Sequence, residues 1–268
     1  MTKRAVGQFL LRLGAAAVAG YFALLALLYF QQDSLLFYPR PELPSTEWAP
    51  YRIEFSRDEI TLRGWFIPSP GANATVVYYG GNGEELSRAI NRIRRIGDFN
   101  FLLVNYRGYG ASDGQPGEAA MKEDARFILD TMAREGMIEI GSTHVVGRSL
   151  GTGIAAWLAA RYDFASVVLL TPYDSIASIA ADLYPFFPVR ALIRNPFNAV
   201  EDAGDIDEPV LIIKAERDSI VPHVHTARFA DALPAPPEFF TVPGTTHNSL
   251  FEEPFYRRLD VFLQQHSP

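Results

Sequence analysis

One serine of this chain lies between two glycines in the stretch "GRSLG", residues 147–151. A serine acts as a nucleophile when a base accepts its proton and amides stabilise the oxyanion that forms. The stretch follows the apolar run "THVV" and precedes "LGTGIAAWLAA", so it lies at a predicted strand-to-helix turn. Gly147 and Gly151 permit a sharp turn that leaves the serine hydroxyl exposed. The spacing predicts Ser149 as a nucleophile, with the Leu150 N–H at a helix N-terminus as one oxyanion donor.

The base that this serine needs is sought among five histidines. His247 lies in "VPGTTHNSL", a loop after the last predicted strand, from which an imidazole can reach the serine. His144 is inside a strand, where packing is favoured, and His266 is in the C-terminal tail. His223 and His225 begin a helix, where capping or solvation is the ordinary role. We expect His247 to be the base, and His223 is the alternative.

A carboxylate must orient that imidazole, and Asp218 follows the apolar strand "PVLIIKA". Asp205 and Asp207 precede the same strand, which puts them at its opposite end. Glu216 is the alternative acid, two residues nearer to the strand. We expect Asp218, which gives the chain order Ser149, Asp218, His247.

A second oxyanion donor is predicted in "YYGGNG", where a strand ends at Tyr79 and opens into glycines. A backbone amide at Asn82 can meet the Leu150 amide there. A phosphate-binding loop is the rival interpretation, but no Gly-Lys-Ser/Thr follows. In "RGYGASDG", Asp113 occupies the third glycine position of Gly-x-Gly-x-x-Gly. The pattern therefore argues against nucleotide binding.

The elements that position these residues alternate between strands and helices from residue 51 onwards. Short apolar runs, typical of strands buried on both faces, occupy 74–79, 101–106, 143–147, 166–170, 209–215 and 238–242. Helical patterns occupy 84–96, 117–134, 150–162, 222–232 and 249–265. Two runs around Arg57 to Glu59 predict an opening hairpin. The alternation predicts an α/β domain over 51–268 with a mostly parallel sheet and helices on both faces.

The connection over about residues 172–208 is longer than a simple crossover requires and is rich in aromatic residues. We expect a small helical cap there. A packed insertion without a ligand role is the alternative.

The N-terminal segment predicts a membrane anchor. Basic residues in the flank 1–12 precede an uncharged apolar run at 13–30, which would be roughly 27 Å long as a helix. A cleaved signal peptide is the alternative, but bulky residues follow the run where small ones are needed. Residues 31–50 are expected to be a linker. The distribution of charge predicts a single-pass protein with its domain on the extracytoplasmic side.

Composition narrows the possible functions. A net charge of −7 argues against nucleic-acid binding, and the absence of cysteine excludes thiolate metal sites and a cysteine nucleophile.

Five segments, "YYGGNG", "NYRGYGASDG", "GRSLGTG", "ERDSIVP" and "GTTHNSL", together resemble the α/β-hydrolase superfamily. They are most similar to its branch of small, membrane-anchored serine hydrolases, which includes protein depalmitoylases. The resemblance spans about residues 35–265 and implies an α/β-hydrolase fold. It implies Ser149 as nucleophile, Asp218 as acid and His247 as base, with amides near Asn82 and Leu150 as the oxyanion hole. Related proteins often have His-Gly where this chain has Gly80-Gly81.

The expected activity is hydrolysis of a carboxylic ester or thioester through an acyl-enzyme, without a metal or organic cofactor. An aromatic cap beside a membrane anchor favours a small-molecule or lipid-like acyl substrate. Amide or peptide cleavage is the first alternative. A non-catalytic, membrane-tethered binding protein on the same fold is the second.

Overall fold

The computed structural model describes residues 3–43 and 46–268 and contains an eight-stranded sheet. Its spatial order is β1-β2-β4-β3-β5-β6-β7-β8. The strands are β1 (Arg52–Arg57), β2 (Ile60–Ile67), β3 (Thr75–Tyr79), β4 (Asn100–Val104), β5 (Thr143–Arg148), β6 (Ser166–Leu170), β7 (Val210–Arg217) and β8 (Glu238–Thr246). The α-helices are α1 (Lys3–Leu36), α2 (Ile90–Ile93), α3 (Glu118–Arg134), α4 (Leu150–Ala159), α5 (Ile176–Leu183), α6 (Val189–Leu192), α7 (Ala199–Ala203), α8 (His223–Ala230) and α9 (Glu253–Gln265).

The sheet is parallel from β4 to β8, and its central strands are rich in β-branched residues. Every residue of β3, β5 and β6 is buried, as expected where helices cover both faces. β1 and β2 form an antiparallel hairpin at one edge, and its turn places Asp58 at a positive φ of 53°. The predicted α/β-hydrolase fold with a mostly parallel sheet is confirmed.

Two apolar clusters fill the spaces above and below the sheet. On one face, α3 and α4 contribute side chains such as Leu129 and Ile154. On the other face, α2 and α9 contribute Ile90, Leu259 and Phe262. The carboxyl ends of the parallel strands therefore meet along one edge between two helical layers, which is where α/β proteins place their ligands.

The segment predicted as one helix over 84–96 is divided into a 3-10 turn (Leu86–Arg88), α2 and a second 3-10 turn (Arg94–Ile96). Side chains capture the N–H groups that would begin a continuous helix. Asn105 Oδ1 accepts from the Leu86 N–H, and Glu85 Oε1 accepts from the Ser87 N–H. The spacing of apolar residues does not reveal that these side chains compete with helix formation for the backbone N–H groups.

The N-terminal helix α1 has the length and mean hydropathy of a membrane-spanning helix or a signal sequence. It continues six residues past the apolar run, to Leu36, into the segment predicted as a linker. The extension is held against the globular domain, because Asp33 pairs with Arg194 at 2.7 Å and Phe37 is buried against Phe197. The insertion between β6 and β7 contains α5, α6 and α7 and supplies these contacts.

Candidate active site

Ser149 lies on a strained turn between β5 and α4. Its φ of 48° and ψ of −115° are unusual for a residue with a side chain, and such strain is common at functional sites. The Ser149 N–H donates to the Leu170 carbonyl at 2.9 Å, which fixes the turn against β6. A Cβ on Gly151 would overlap the carbonyl oxygens of Tyr79 and Gly80, so glycine permits the turn to approach the end of β3.

Three side chains predicted from sequence are brought together at the carboxyl edge of the sheet. His247 Nε2 lies 2.9 Å from Ser149 Oγ, and His247 Nδ1 lies 2.8 Å from Asp218 Oδ2. An ionised Asp218 can only accept a hydrogen bond, so Nδ1–H donates to it and Nε2 is left to accept from the serine hydroxyl. The three groups form a continuous chain from carboxylate to imidazole to hydroxyl.

The environment of Asp218 keeps it ionised. Burial by itself would raise the pKa of this carboxyl. The hydrogen bond from His247, and those from the N–H groups of Val221 and Ile220 at 2.8 and 2.9 Å, reverse that effect and hold the pKa below its ordinary value. A carboxylate that is both buried and ionised fixes the orientation and the tautomer of the imidazole.

The rejected alternatives have other partners. Glu216 accepts from the Gly244 N–H at 2.8 Å and is exposed. His223 Nε2 lies 2.8 Å from the Ala215 carbonyl oxygen, away from the serine. His144 is buried between the hydroxyls of Ser166 and Ser267, as expected for a histidine inside a strand.

Leu150 is the first residue of α4, so helix geometry leaves its N–H without an intrahelical acceptor. This amide stands beside the serine at the positive end of the helix dipole.

The side chain of Asn82 has a role that the sequence did not predict. Its Oδ1 accepts from the Tyr38 N–H at 3.0 Å and from the Tyr109 hydroxyl at 2.9 Å, and its Nδ2 donates to the Leu36 carbonyl. The side chain thus connects the glycine loop after β3 to the end of α1. An oxyanion contribution from Asn82 would have to come from its backbone N–H.

A buried ion pair between Arg148 and Glu84 supports the site and was also missed. Arg148 Nη1 donates to Glu84 Oε2 at 3.0 Å, and Arg148 Nη2 donates to Asn248 Oδ1 at 3.0 Å and to the His247 carbonyl at 3.5 Å. Glu84 also accepts from the Gly81 N–H and pairs with Arg92. Burial would raise the pKa of Glu84, but the two arginines hold it below its ordinary value. The sequence signal was a charged residue, Arg148, directly after the apolar run of a predicted buried strand.

Within residues 3–43 and 46–268, no three His, Cys, Asp or Glu side chains come together as a metal-binding group.

Comparison with known proteins places this arrangement in context. Residues 69–199 match the family model described as alpha/beta hydrolase fold. The uncharacterized protein Rv2307c of Mycobacterium tuberculosis is 32% identical over 197 residues, which are 72% of this chain and 70% of that protein. The alpha/beta hydrolase domain-containing protein WAV2 of Arabidopsis thaliana is 26% identical, over 95% of this chain and 93% of its own. The esterase Pf2001 of Pyrococcus furiosus superposes with a TM-score of 0.67 at 18% identity, covering 85% of this chain and 99% of that structure.

Proposed function

Because this chain belongs to the α/β-hydrolase family, we propose that it is a serine hydrolase that cleaves carboxylic esters or thioesters through an acyl-enzyme on Ser149. One observation carries the proposal. The Asp218 carboxylate, the His247 imidazole and the Ser149 hydroxyl form a hydrogen-bonded chain with separations of 2.8 and 2.9 Å. Those distances lie within the reach that proton transfer requires.

The reaction proceeds in two steps. His247 Nε2 takes the Ser149 proton as Oγ attacks the acyl carbonyl, and the oxyanion is stabilised by the N–H groups of Leu150 and Asn82. The tetrahedral intermediate expels an alcohol or thiol, which receives the proton from His247. Water then loses a proton to His247 as it attacks the acyl-enzyme. The second tetrahedral intermediate expels Ser149 Oγ, which takes that proton back from His247, and the carboxylic acid is released. Asp218 stays ionised and stabilises the imidazolium in both steps.

Two alternatives make different predictions. An amidase or peptidase uses the same groups but must expel an amine. A non-catalytic binding protein has no need of a complete triad, and the presence of all three members favours catalysis.

Hydrolysis by the full chain in detergent micelles tests these possibilities. We expect turnover of a butanoyl ester and of a butanoyl thioester, with much slower turnover of the matching amide. Ser149→Ala should lower kcat by about 10⁶-fold. Ser142→Ala is the matched control and should leave kcat unchanged, since the Ser142 hydroxyl donates to Glu139 at 3.4 Å. Absence of turnover by the folded parent protein would favour the binding protein, and preferential cleavage of the amide would favour a peptidase.

We further propose that α1 is an uncleaved single-pass anchor and that the catalytic domain lies outside the cytoplasm. The support is charge asymmetry, since Lys3, Arg4 and Arg12 precede the apolar run and Asp33 follows it. Alkaline phosphatase fused after Pro268 should be active in this topology. An inactive fusion would indicate the opposite topology, with the catalytic domain in the cytoplasm. A membrane-bound product of full mass would distinguish the anchor from a cleaved signal sequence.

A further inference from the structure

An apolar cleft of about 390 Å³ lies between α1 and the cap insertion. Leu25 and Leu28 of α1 form one wall, and Ala180 and Phe187 of the insertion form part of the other. Along α1, Leu25 and Leu28 are partly covered, whereas Leu24 and Leu27 are exposed. The volume falls within the range of pockets that hold small apolar ligands, about 300–1,000 Å³.

One end of the cleft is lined by residues that are hydrogen-bonded to the glycine loop after β3. Leu36 and Tyr38 line this end, and both are bonded through their backbones to the side chain of Asn82. Tyr38 also lies against Gly83, where an added Cβ would be 3.6 Å from the tyrosine Cβ. This end of the cleft is therefore one hydrogen bond away from the glycine loop that is proposed to supply an oxyanion donor.

The other end lies beside the middle of the apolar run. Tyr21, near the centre of residues 13–30, donates from its hydroxyl to the Phe186 carbonyl at 3.0 Å and stacks on the Phe187 ring. Tyr21 precedes Leu36 by 15 residues, or about 22 Å along a helix. If 13–30 spans a bilayer, the cap residues that contact Tyr21 lie within the hydrocarbon region rather than in water.

The composition of this cap tip, residues 183–188, suits immersion in lipid. Leu183, Tyr184 and Phe186 are 66%, 56% and 86% exposed, a cluster that is unfavourable in water. Backbone polar groups in hydrocarbon need internal partners. Pro185 and Pro188 have no N–H. The N–H groups of Tyr184 and Phe187 are bonded within the insertion, and the Phe186 carbonyl accepts from Tyr21.

Beyond the apolar run, polar and charged side chains of α1 contact the insertion. Gln32 Nε2 donates to the Leu192 carbonyl at 3.2 Å. Asp33 accepts from Arg194 at 2.7 Å and from the Asn195 amide at 2.9 Å. If 13–30 spans a bilayer, the charged contacts at residue 33 lie at the level of the membrane surface, and they hold the cap against the helix.

We propose that this cleft binds the acyl chain of a bilayer lipid ester, which enters sideways from the membrane between α1 and the immersed cap tip. The inference rests on the proposed serine hydrolase activity and adds the substrate class and its route. The acyl chain lies between α1 and α5, and its carbonyl end is delivered at the glycine loop. The helix α1 is then one wall of the substrate site as well as an anchor.

Filling the cleft tests this assignment with two substrates. Leu28→Trp narrows the cleft, and Leu27→Trp, on the exposed side of the same helix, is the matched control. Both are assayed as full chains in phosphatidylcholine vesicles, with a soluble butanoyl ester and a hexadecanoyl glycerol ester. We expect Leu28→Trp to lower kcat/KM for the hexadecanoyl ester by about ten- to hundredfold more than for the butanoyl ester. Leu27→Trp should change neither.

Equal effects on both esters, or none on either, would overturn the cleft assignment. Activity on a hexadecanoyl thioester peptide without activity on the glycerol ester would overturn the lipid assignment. Failure of the proposed function is separate, because the parent protein would then not hydrolyse even the butanoyl ester.

The proposed immersion of the cap tip in lipid can be tested by a measurement that does not depend on catalysis. The chain has no cysteine, so Phe186→Cys carries a nitroxide label at one position. We expect oxygen to relax this label more than a water-soluble nickel chelate does, as for Leu24→Cys in the span. Glu135→Cys, exposed at the end of α3, should show the reverse. A label at 186 that behaves like the one at 135 would overturn the proposal.

Discussion

Glu84→Gln would remove the negative charge that two arginines share beneath the active-site loops. The Glu84 side chain is 7% exposed and the Arg148 side chain 11%, so the pair lies largely outside solvent. Arg92 is the more exposed of the two arginine partners. The substitution leaves Arg148 as a buried cation without a carboxylate, and it weakens the contact that holds the Gly81 amide.

The expected loss follows from the cost of an unpaired buried charge. Removing one member of such a pair costs about 3–5 kcal/mol, whereas removing both members costs far less. A domain is usually stable by about 5–15 kcal/mol, so the single change is a large fraction of the total. The ion pair also joins the serine turn to the His247 loop, through the bonds from Arg148 to Asn248 and to the His247 carbonyl. Activity should therefore fall together with stability.

Urea unfolding of the full chain in micelles, followed by the fluorescence of buried Trp48 and Trp65, measures the effect. We expect Glu84→Gln and Arg148→Met each to lower the free energy of unfolding by about 3–5 kcal/mol, and the double variant to lose less than their sum. A loss below about 1 kcal/mol for Glu84→Gln, with additive effects in the double variant, would refute the reasoning.

The same carboxylate has a pH dependence with a defined sign. Its folded pKa lies below the ordinary value of 4.5, so the stabilisation is complete above pH about 4.5. The contribution is lost as pH falls through the lower, folded-state pKa. In Glu84→Gln this part of the acid dependence should disappear.

Three further predictions concern a buried base, a close contact and the acid of the triad. Burial, with His266 nearby, lowers the pKa of His144 from 6.5 to about 4, so the unfolded chain binds a proton in this range that the folded chain does not. The free energy of unfolding should fall by up to about 3 kcal/mol as the pH is lowered from 6.5 to 4. If His144→Gln showed the same slope of this free energy against pH, the explanation would be contradicted. Gly151→Ala should lower the urea midpoint or prevent folding, because its Cβ overlaps two carbonyl oxygens, whereas Gly141→Ala meets nothing within 4 Å and should be neutral. Asp218→Asn should keep the fold but reduce kcat on the butanoyl ester by about 10⁴-fold, since an amide no longer selects the required tautomer, and near-parental kcat would count against its role.

The sequence predicted that Ser149, Asp218 and His247 would lie close together, because each follows a strand with a plain apolar pattern. Ser149 follows β5, Asp218 follows β7 and His247 belongs to the loop after β8. Parallel strands bring such positions to one edge of a sheet, so local pattern together with topology was sufficient. The alternatives His223 and Glu216 also lie near that edge. Position at the end of a strand therefore does not by itself separate them from His247 and Asp218.

Contacts between distant segments were not predictable in this way. The pair Arg148–Glu84 is separated by 64 positions, the bond from Asn82 to Leu36 by 46 and that from Arg194 to Gln32 by 162. The first depends on how two loops of the domain meet, and the other two depend on how α1 lies against the domain and the insertion. No periodicity encodes these contacts. For the same reason, the sequence predicted a linker after residue 30, where the structure has a continued helix held by the cap.

The reactivity of Ser149 is the central claim, and covalent labelling tests it most directly. The full chain in membranes is treated with a fluorophosphonate and digested, and the modified peptide is identified by mass spectrometry. We expect one adduct, on the peptide that contains Ser149, and none in Ser149→Ala. A folded parent protein that remains unlabelled, or equal labelling of the alanine variant, would contradict the account.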